Sequence, residues 1–178
     1  GVYNNLVMYD QAIAKESMDT IVPDLASEWS WNDDKTSLTF KLREGVKWHD
    51  GKPFTANDVK CTWDLLQDKG QAKLRKNPRK AWYTNLKEVT VDNDFQATFH
   101  LDRPQPAFIA LLASGYSPVY PCHVPPKTMR TAPVGTGPFK FVELKQNERI
   151  VFTKNQDYWK PGKPYLDGIT WTIIKSRA

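Results

Sequence analysis

Three parts of the chain alternate apolar and polar residues with a period of two, the pattern of β-strands that bury one face. In the clearest of them Leu38, Phe40 and Leu42 fall on the same side of the strand. Clusters of turn-forming polar residues lie between each such strand and its neighbour, which predicts antiparallel hairpins. The paired strands are predicted at residues 27–31 and 38–43, 87–91 and 96–101, and 139–144 and 149–153.

Two segments have the features of short helices. Thr55 can cap a helix that carries Asp58 at its third position, and the apolar residues that follow recur at spacings of three and four. A second helix is predicted over residues 106–113, with Pro106 near its first turn. Residues 69–80 show no periodicity and are predicted to form a loop. Single strands are predicted at residues 6–10 and 169–174.

This mixed order of elements predicts an α+β (mixed α/β) fold made of β-hairpins and a few short helices, not a regular βαβ series. The length of 178 residues suits one domain, or one domain with fragments of a second. No apolar run approaches the ~20 residues needed to span a bilayer. Residues 1–5 lack the features of a signal peptide, so we expect a chain that was processed, trimmed or cut from a longer gene.

Charge and cysteine content leave several alternatives open. The net charge is +5, and the densest basic run, residues 73–80, is either a solvated loop or a polyanion-binding segment. Cys61 and Cys122 either form a disulfide or remain two separate buried thiols. Cys122 and His123 alone supply too few ligands for a metal site, which needs about four. We therefore predict no metal.

Catalytic motifs do not emerge from the sequence. A nucleophile needs a neighbouring base and an oxyanion site, and no such set can be assembled. Residues 135–138, Gly-Thr-Gly-Pro, resemble the start of a phosphate loop, but Pro138 lacks an amide hydrogen that such a loop uses. We interpret this segment as a tight turn that precedes the strand starting at Phe139.

Aromatic residues beside the basic run are better candidates for binding. Trp82 and Tyr83 follow Arg79 closely, and an arginine next to an aromatic ring can hold a planar or anionic ligand by hydrogen bonds and stacking. The alternative is that Trp82 closes an edge of the core while the charged residues lie in water.

Several blocks of sequence are similar to one known family. They occur in the family's order and spacing, and together they cover almost the whole chain. The blocks are residues 22–29, 38–59, 133–141, 155–159 and 163–169. In these blocks the chain resembles the family 5 bacterial extracellular solute-binding proteins, which serve ABC importers of peptides, dipeptides and nickel.

The resemblance implies a particular place for this chain in a larger fold. Members of the family are severalfold longer, and two lobes close on the ligand, with an extra domain inserted in the first lobe. We therefore expect a fragment of the N-terminal lobe of a two-lobed periplasmic-binding-protein-like fold. Residues 1–25 would be a flanking part of the first lobe, 26–165 would form the domain inserted in that lobe, and 166–178 would return as a strand into the first lobe.

The resemblance also implies a ligand-binding site. Nickel-binding relatives carry Arg-x-x-Trp in the loop after the first helix, and Arg79 and Trp82 match that motif. Those relatives also place an arginine before the Pro-rich loop, whereas residues 115–118 here contain none. This difference leaves peptides, opines, sugars and other organic solutes as ligands. The predicted ligand-binding residues are Arg79, Trp82, Tyr83, Tyr116 and Ser117.

The function that the resemblance implies is that of a receptor of an ABC importer. It would capture a peptide or other small organic solute in the periplasm or elsewhere outside the cytoplasmic membrane, with or without a lipid anchor. It would act as a monomer and pass the solute to a membrane permease. It would need no cofactor, bind no nucleic acid and catalyse no reaction. The alternatives are a polyanion- or nucleic-acid-binding domain that uses residues 73–80, or an enzyme whose site is not recognisable from the sequence.

Overall fold

The computed structural model describes residues 1–174, which contain strands, two α-helices and short 3₁₀ helices. The strands are β1 (Val7–Tyr9), β2 (Ile21–Pro23), β3 (Ala26–Trp31), β4 (Ser37–Leu42), β5 (Leu86–Asn93), β6 (Gln96–Leu101), β7 (Phe139–Lys145), β8 (Arg149–Lys154) and β9 (Gly168–Thr172). The α-helices are α1 (Ala56–Leu66) and α2 (Phe108–Ala113), and the 3₁₀ helices are Met18–Thr20, Pro78–Tyr83 and Thr128–Arg130.

The first two predicted hairpins join into one antiparallel sheet with the strand order β3-β4-β6-β5. The central pair is β4 and β6, in which Phe40 lies opposite Ala97. The third hairpin, β7 and β8, is extended by β9, and β1 pairs with β2. These sheets and the few short helices confirm the predicted mixed α/β fold. The division at residues 25, 165 and 178 remains a prediction.

Helix α1 covers the four-stranded sheet, and its start agrees with the predicted cap. The Thr55 backbone amide donates to Asp58 Oδ2 at 3.0 Å, which satisfies an amide that the helix itself leaves without a partner. Trp63 is fully buried, and its ring meets that of Phe99 edge to face at 4.8 Å between centroids. Phe99 also packs against Phe40 of β4, so aromatic rings form the centre of the core.

A disulfide between Cys61 and Cys122 ties α1 to the Pro-rich loop, with 5.5 Å between the two Cα atoms. This bond decides between the two alternatives for the cysteines, and it means that Cys122 is not a free thiolate for a metal. Hydrogen bonds strengthen the same junction. The Cys122 amide donates to Asp58 Oδ1 at 2.8 Å, and the Tyr120 amide donates to Thr62 Oγ1 at 2.9 Å.

The Gly-Thr-Gly segment before β7 lies directly against the N-terminal backbone. A Cβ atom on Gly135 would be only 1.8 Å from the Val2 carbonyl oxygen, so no larger residue fits there without movement. The Gly137 amide donates to the same oxygen at 2.8 Å. His49 holds the segment from the other side: its Nε2 donates to Gly137 O at 2.8 Å, and its Nδ1 accepts from the Gly135 amide at 3.2 Å.

Several predicted element boundaries need correction. The helix predicted at 106–113 is α2 and begins at Phe108, and the strand predicted at 87–91 is β5 and extends to Asn93. The predicted loop at residues 69–80 ends earlier, because Pro78–Tyr83 forms a 3₁₀ helix with a proline at its start. The last strand, predicted at 169–174, is β9 and ends at Thr172. Residues 175–178 of the predicted return strand lie outside the described residues. Among the helices of residues 1–174, none combines the length and the apolar character that a membrane crossing requires.

Candidate functional site

The structure brings the five predicted ligand-binding residues together from two distant segments. Arg79, Trp82 and Tyr83 belong to the 3₁₀ helix Pro78–Tyr83, whereas Tyr116 and Ser117 follow α2. Because a 3₁₀ helix has three residues per turn, Arg79 and Trp82 lie on the same side of it. We call the five residues the Arg79 cluster.

Arg79 connects the two segments through its guanidinium group. Its Nη1 donates to the Tyr116 carbonyl oxygen at 2.7 Å, and its Nη2 donates to the Tyr120 hydroxyl at 3.2 Å. The guanidinium carbon lies 5.7 Å from the centroid of the Tyr120 ring, which is within cation–π distance. A guanidinium has five N–H donors. Three therefore remain without a protein acceptor in residues 1–174.

Trp82 and Tyr116 form the accessible part of the Arg79 cluster. Their rings meet edge to face with centroids 5.7 Å apart, and the residues are 40% and 67% exposed. Two exposed rings in contact form a continuous apolar surface, on which apolar or planar groups of a ligand can pack. The pair thus offers an exposed aromatic surface next to the donors of Arg79.

Tyr83 and Ser117 form the buried part of the Arg79 cluster, with exposures of 1% and 0%. The Ser117 hydroxyl donates to the Leu111 carbonyl oxygen, so the Tyr83 hydroxyl must donate to Ser117 Oγ, at 2.7 Å. Burial raises the pKa of the Tyr83 hydroxyl above its usual value of 10.0. In this structure both residues link the two segments beneath the exposed rings, and a direct contact with ligand remains a prediction.

Sequence reasoning missed Tyr120, which completes the support of Arg79. Its ring contacts that of Tyr3 edge to face at 5.2 Å between centroids, and its hydroxyl accepts from Arg79. Tyr120 lies 41 residues from Arg79 along the chain, and no local pattern marks that contact. The one available signal was its place in the Pro-rich loop beside Cys122, because a disulfide would bring that loop to α1.

The Arg79 cluster carries one positive charge that no carboxylate of the described residues pairs with, that of Arg79 itself. Lys80, the neighbour of Arg79, forms an ion pair with Asp68 at 3.0 Å. The cluster contains no acidic residue, so its field favours a ligand that carries negative charge or several acceptor oxygens.

Comparison with known proteins identifies the family. The model of "Bacterial extracellular solute-binding proteins, family 5 Middle" matches residues 20–178, so the chain belongs to that family. This result confirms the resemblance, and the family consists of ABC-transporter solute-binding proteins.

Individual relatives agree with this assignment. The chain is similar to heme-binding protein A of Haemophilus influenzae, at 31% identity over 97% of this chain and 34% of that protein. It is similar to di/tripeptide-binding protein 1 of Pseudomonas aeruginosa, at 28% identity over 97% of this chain and 35% of that protein. Its structure is similar to that of DppA from Helicobacter pylori in complex with peptide STSA, with a TM-score of 0.80 and 26% identity, over 97% and 37% of the two chains. The chain thus spans about a third of the length of these relatives.

Proposed function

We propose that this chain forms one wall of the solute-binding cleft of an ABC-importer receptor, and that the exposed part of the Arg79 cluster contacts the solute. The rest of the cleft would come from a second lobe, which closes on the bound solute. Binding would shift the population toward the closed form, and the closed form would deliver the solute to a membrane permease. The receptor would act as a monomer outside the cytoplasmic membrane.

The observation that carries this proposal is the pairing of free hydrogen-bond donors with exposed rings. Within residues 1–174, Arg79 keeps three N–H donors beyond those bound by Tyr116 and Tyr120, and the ring centroids of Trp82 and Tyr116 lie 5.7 Å apart at the surface. Donors in a fixed planar fork suit carboxylate oxygens, and exposed rings suit apolar or planar groups. This combination holds a ligand without forming a covalent bond.

The class of solute follows from the same groups and from the relatives. A small organic molecule with a carboxylate and an apolar portion would satisfy both Arg79 and the ring of Trp82. A short peptide has both features. Relatives of this chain are named as di/tripeptide-binding protein 1 and as DppA in complex with a peptide, which supports a peptide solute.

We further propose that the protein has no catalytic activity. The family consists of transport proteins, and the groups of the Arg79 cluster provide hydrogen bonds and stacking. A nucleophile would need a base within hydrogen-bond reach. The cluster contains one buried pair of hydroxyls, those of Tyr83 and Ser117. Burial raises the pKa of the Tyr83 hydroxyl and so opposes its ionisation.

The test uses the full-length gene product and a panel of dipeptides and tripeptides screened by thermal shift, followed by calorimetry with the tightest binder. Trp82→Ala is expected to weaken that binding by about tenfold, because it removes an aromatic contact with the solute. Trp171→Ala is the matched control, since Trp171 is 63% exposed but lies on β9, outside the Arg79 cluster. Equal affinity of Trp82→Ala and wild type would show that the solute binds elsewhere.

A further inference from the structure

A second surface, separate from the Arg79 cluster, concentrates basic residues from two parts of the chain. The basic run after α1 meets the segment around the 3₁₀ helix Thr128–Arg130, and together they line an open concavity of about 690 Å³. We call this surface the basic concavity. Its lining consists of Lys73, Leu74, Arg75, Lys76, Pro126, Lys127 and Arg130.

The charges of the basic concavity are not neutralised within the described residues. None of its five basic residues forms an ion pair in residues 1–174, and its lining includes no carboxylate. The net charge of the chain is +5, so outside these five residues basic and acidic residues are equal in number. The carboxylates on neighbouring surfaces already have other partners, in the pairs Lys60–Asp64, Lys80–Asp68 and Arg149–Glu143.

An apolar groove adjoins the basic concavity and shares Pro126 with it. The groove has a volume of about 210 Å³ and lies between α1 and the Pro-rich loop, at the Cys61–Cys122 disulfide. Because the disulfide joins the two sides of the groove covalently, they cannot move far apart. Most of its lining side chains are apolar, and they include Leu65, Tyr120, Pro121, Val124, Pro126 and Met129. Its one carboxylate, Asp64, is paired with Lys60 at 2.9 Å.

We propose that the basic concavity docks on a membrane surface that contains anionic phospholipids, with phosphate groups bound by the basic side chains and the apolar groove facing the lipid. Clustered Lys and Arg residues are attracted to anionic lipid, and apolar surface beside them adds to the binding. A nucleic acid fits less well, because the lining of the basic concavity contains no aromatic residue on which a base could stack, and the adjoining groove contains only Tyr120. Such docking would hold a receptor near the membrane in which its permease lies.

The test is cosedimentation of the protein with vesicles of phosphatidylcholine, with and without phosphatidylglycerol. Wild type is expected to bind the vesicles that contain phosphatidylglycerol, and added salt is expected to weaken that binding. Each basic residue at an anionic surface is worth about fivefold in partition, so Arg75→Gln with Lys76→Gln should lose roughly 25-fold. Lys127→Gln with Arg130→Gln, from the second segment, should lose a similar amount.

The matched control is Lys15→Gln with Lys47→Gln, which makes the same change in net charge at exposed lysines outside the basic concavity. The control pair should retain nearly all vesicle binding, and circular dichroism should show all variants folded. An equal loss in the control pair would mean that net charge alone drives binding, and would overturn the proposal. So would binding that ignores phosphatidylglycerol. Binding to single-stranded DNA that is lost in the same variants, without vesicle binding, would also overturn it and would assign the surface to nucleic acid.

Discussion

The hydrogen bond between Tyr83 and Ser117 offers a direct test of how the buried part of the Arg79 cluster is held together. Ser117 uses its hydroxyl hydrogen for the Leu111 carbonyl oxygen, so Tyr83 is the donor of the 2.7 Å bond. The two substitutions that break this bond, Tyr83→Phe and Ser117→Ala, should therefore differ in cost.

The expected magnitudes follow from what each substitution leaves behind. Tyr83→Phe removes the donor and leaves Ser117 bonded to Leu111, so it should cost about 1 kcal/mol of unfolding free energy. Ser117→Ala leaves the Tyr83 hydroxyl, in a residue 1% exposed, without its acceptor, and should cost about 2–3 kcal/mol. In the double variant that stranded hydroxyl is gone, so its cost should fall below the sum by about 1 kcal/mol or more.

Equilibrium unfolding in urea, followed by tryptophan fluorescence, measures these differences. Tyr165→Phe is the control, because Tyr165 is 84% exposed and the loss of its hydroxyl should change stability by less than about 0.5 kcal/mol. The reasoning fails if the two effects simply add, or if Tyr83→Phe costs more than Ser117→Ala. Either result would mean that Tyr83 does not donate to Ser117.

Two further predictions concern the junction around the Gly-Thr-Gly segment. Burial lowers the pKa of His49 below 6.5, although its hydrogen bond to Gly137 O acts in the opposite direction. Because the folded state favours the neutral ring, the stability that this ring contributes is fully present above pH 6.5. It is lost as the pH falls through the lowered pKa of the folded state. The unfolding free energy of wild type should therefore fall from about pH 7.5 to about pH 5 by more than that of His49→Gln, and equal slopes would contradict this. Gly135→Ala should cost about 3 kcal/mol or more in the same urea assay, because its Cβ would lie 1.8 Å from Val2 O. Gly115→Ala, with nothing within 4 Å of its Cβ, should have little effect; a mild Gly135→Ala would refute the close contact.

Local patterns in the sequence were sufficient for most of the strands and for α1. Leu38, Phe40 and Leu42 are all buried, as their period of two predicts, because that alternation directly reflects which face of a strand meets the core. Thr55 and Asp58 marked the start of α1 because capping depends on residues only three positions apart. Such local signals also underlie the three hairpins.

Long-range contacts could not be derived in the same way. The support of Arg79 by Tyr120 and the choice between a disulfide and free thiols depend on how α1 meets a loop that is distant in sequence. The 3₁₀ helix at Pro78–Tyr83 was missed because six residues are too few to show a periodicity. Arg79, Trp82 and Tyr83 stand in or beside the basic run, whereas only the resemblance to a family points to Tyr116 and Ser117. No local pattern predicts that Tyr83 and Ser117 are buried while Trp82 and Tyr116 are exposed.

The Cys61–Cys122 bond encloses a stretch of chain that contains every residue of the Arg79 cluster. The two cysteines are 61 positions apart in sequence. In the chain-entropy description, a closed loop of that length lowers the conformational entropy of the unfolded chain and so stabilises the folded state by about 4 kcal/mol. Once this bond has formed, both segments of the Arg79 cluster stay within one closed loop even when the chain unfolds. Because thiols are kept reduced in most cytosols, this contribution is available only in an oxidising compartment, such as the one in which extracellular proteins work.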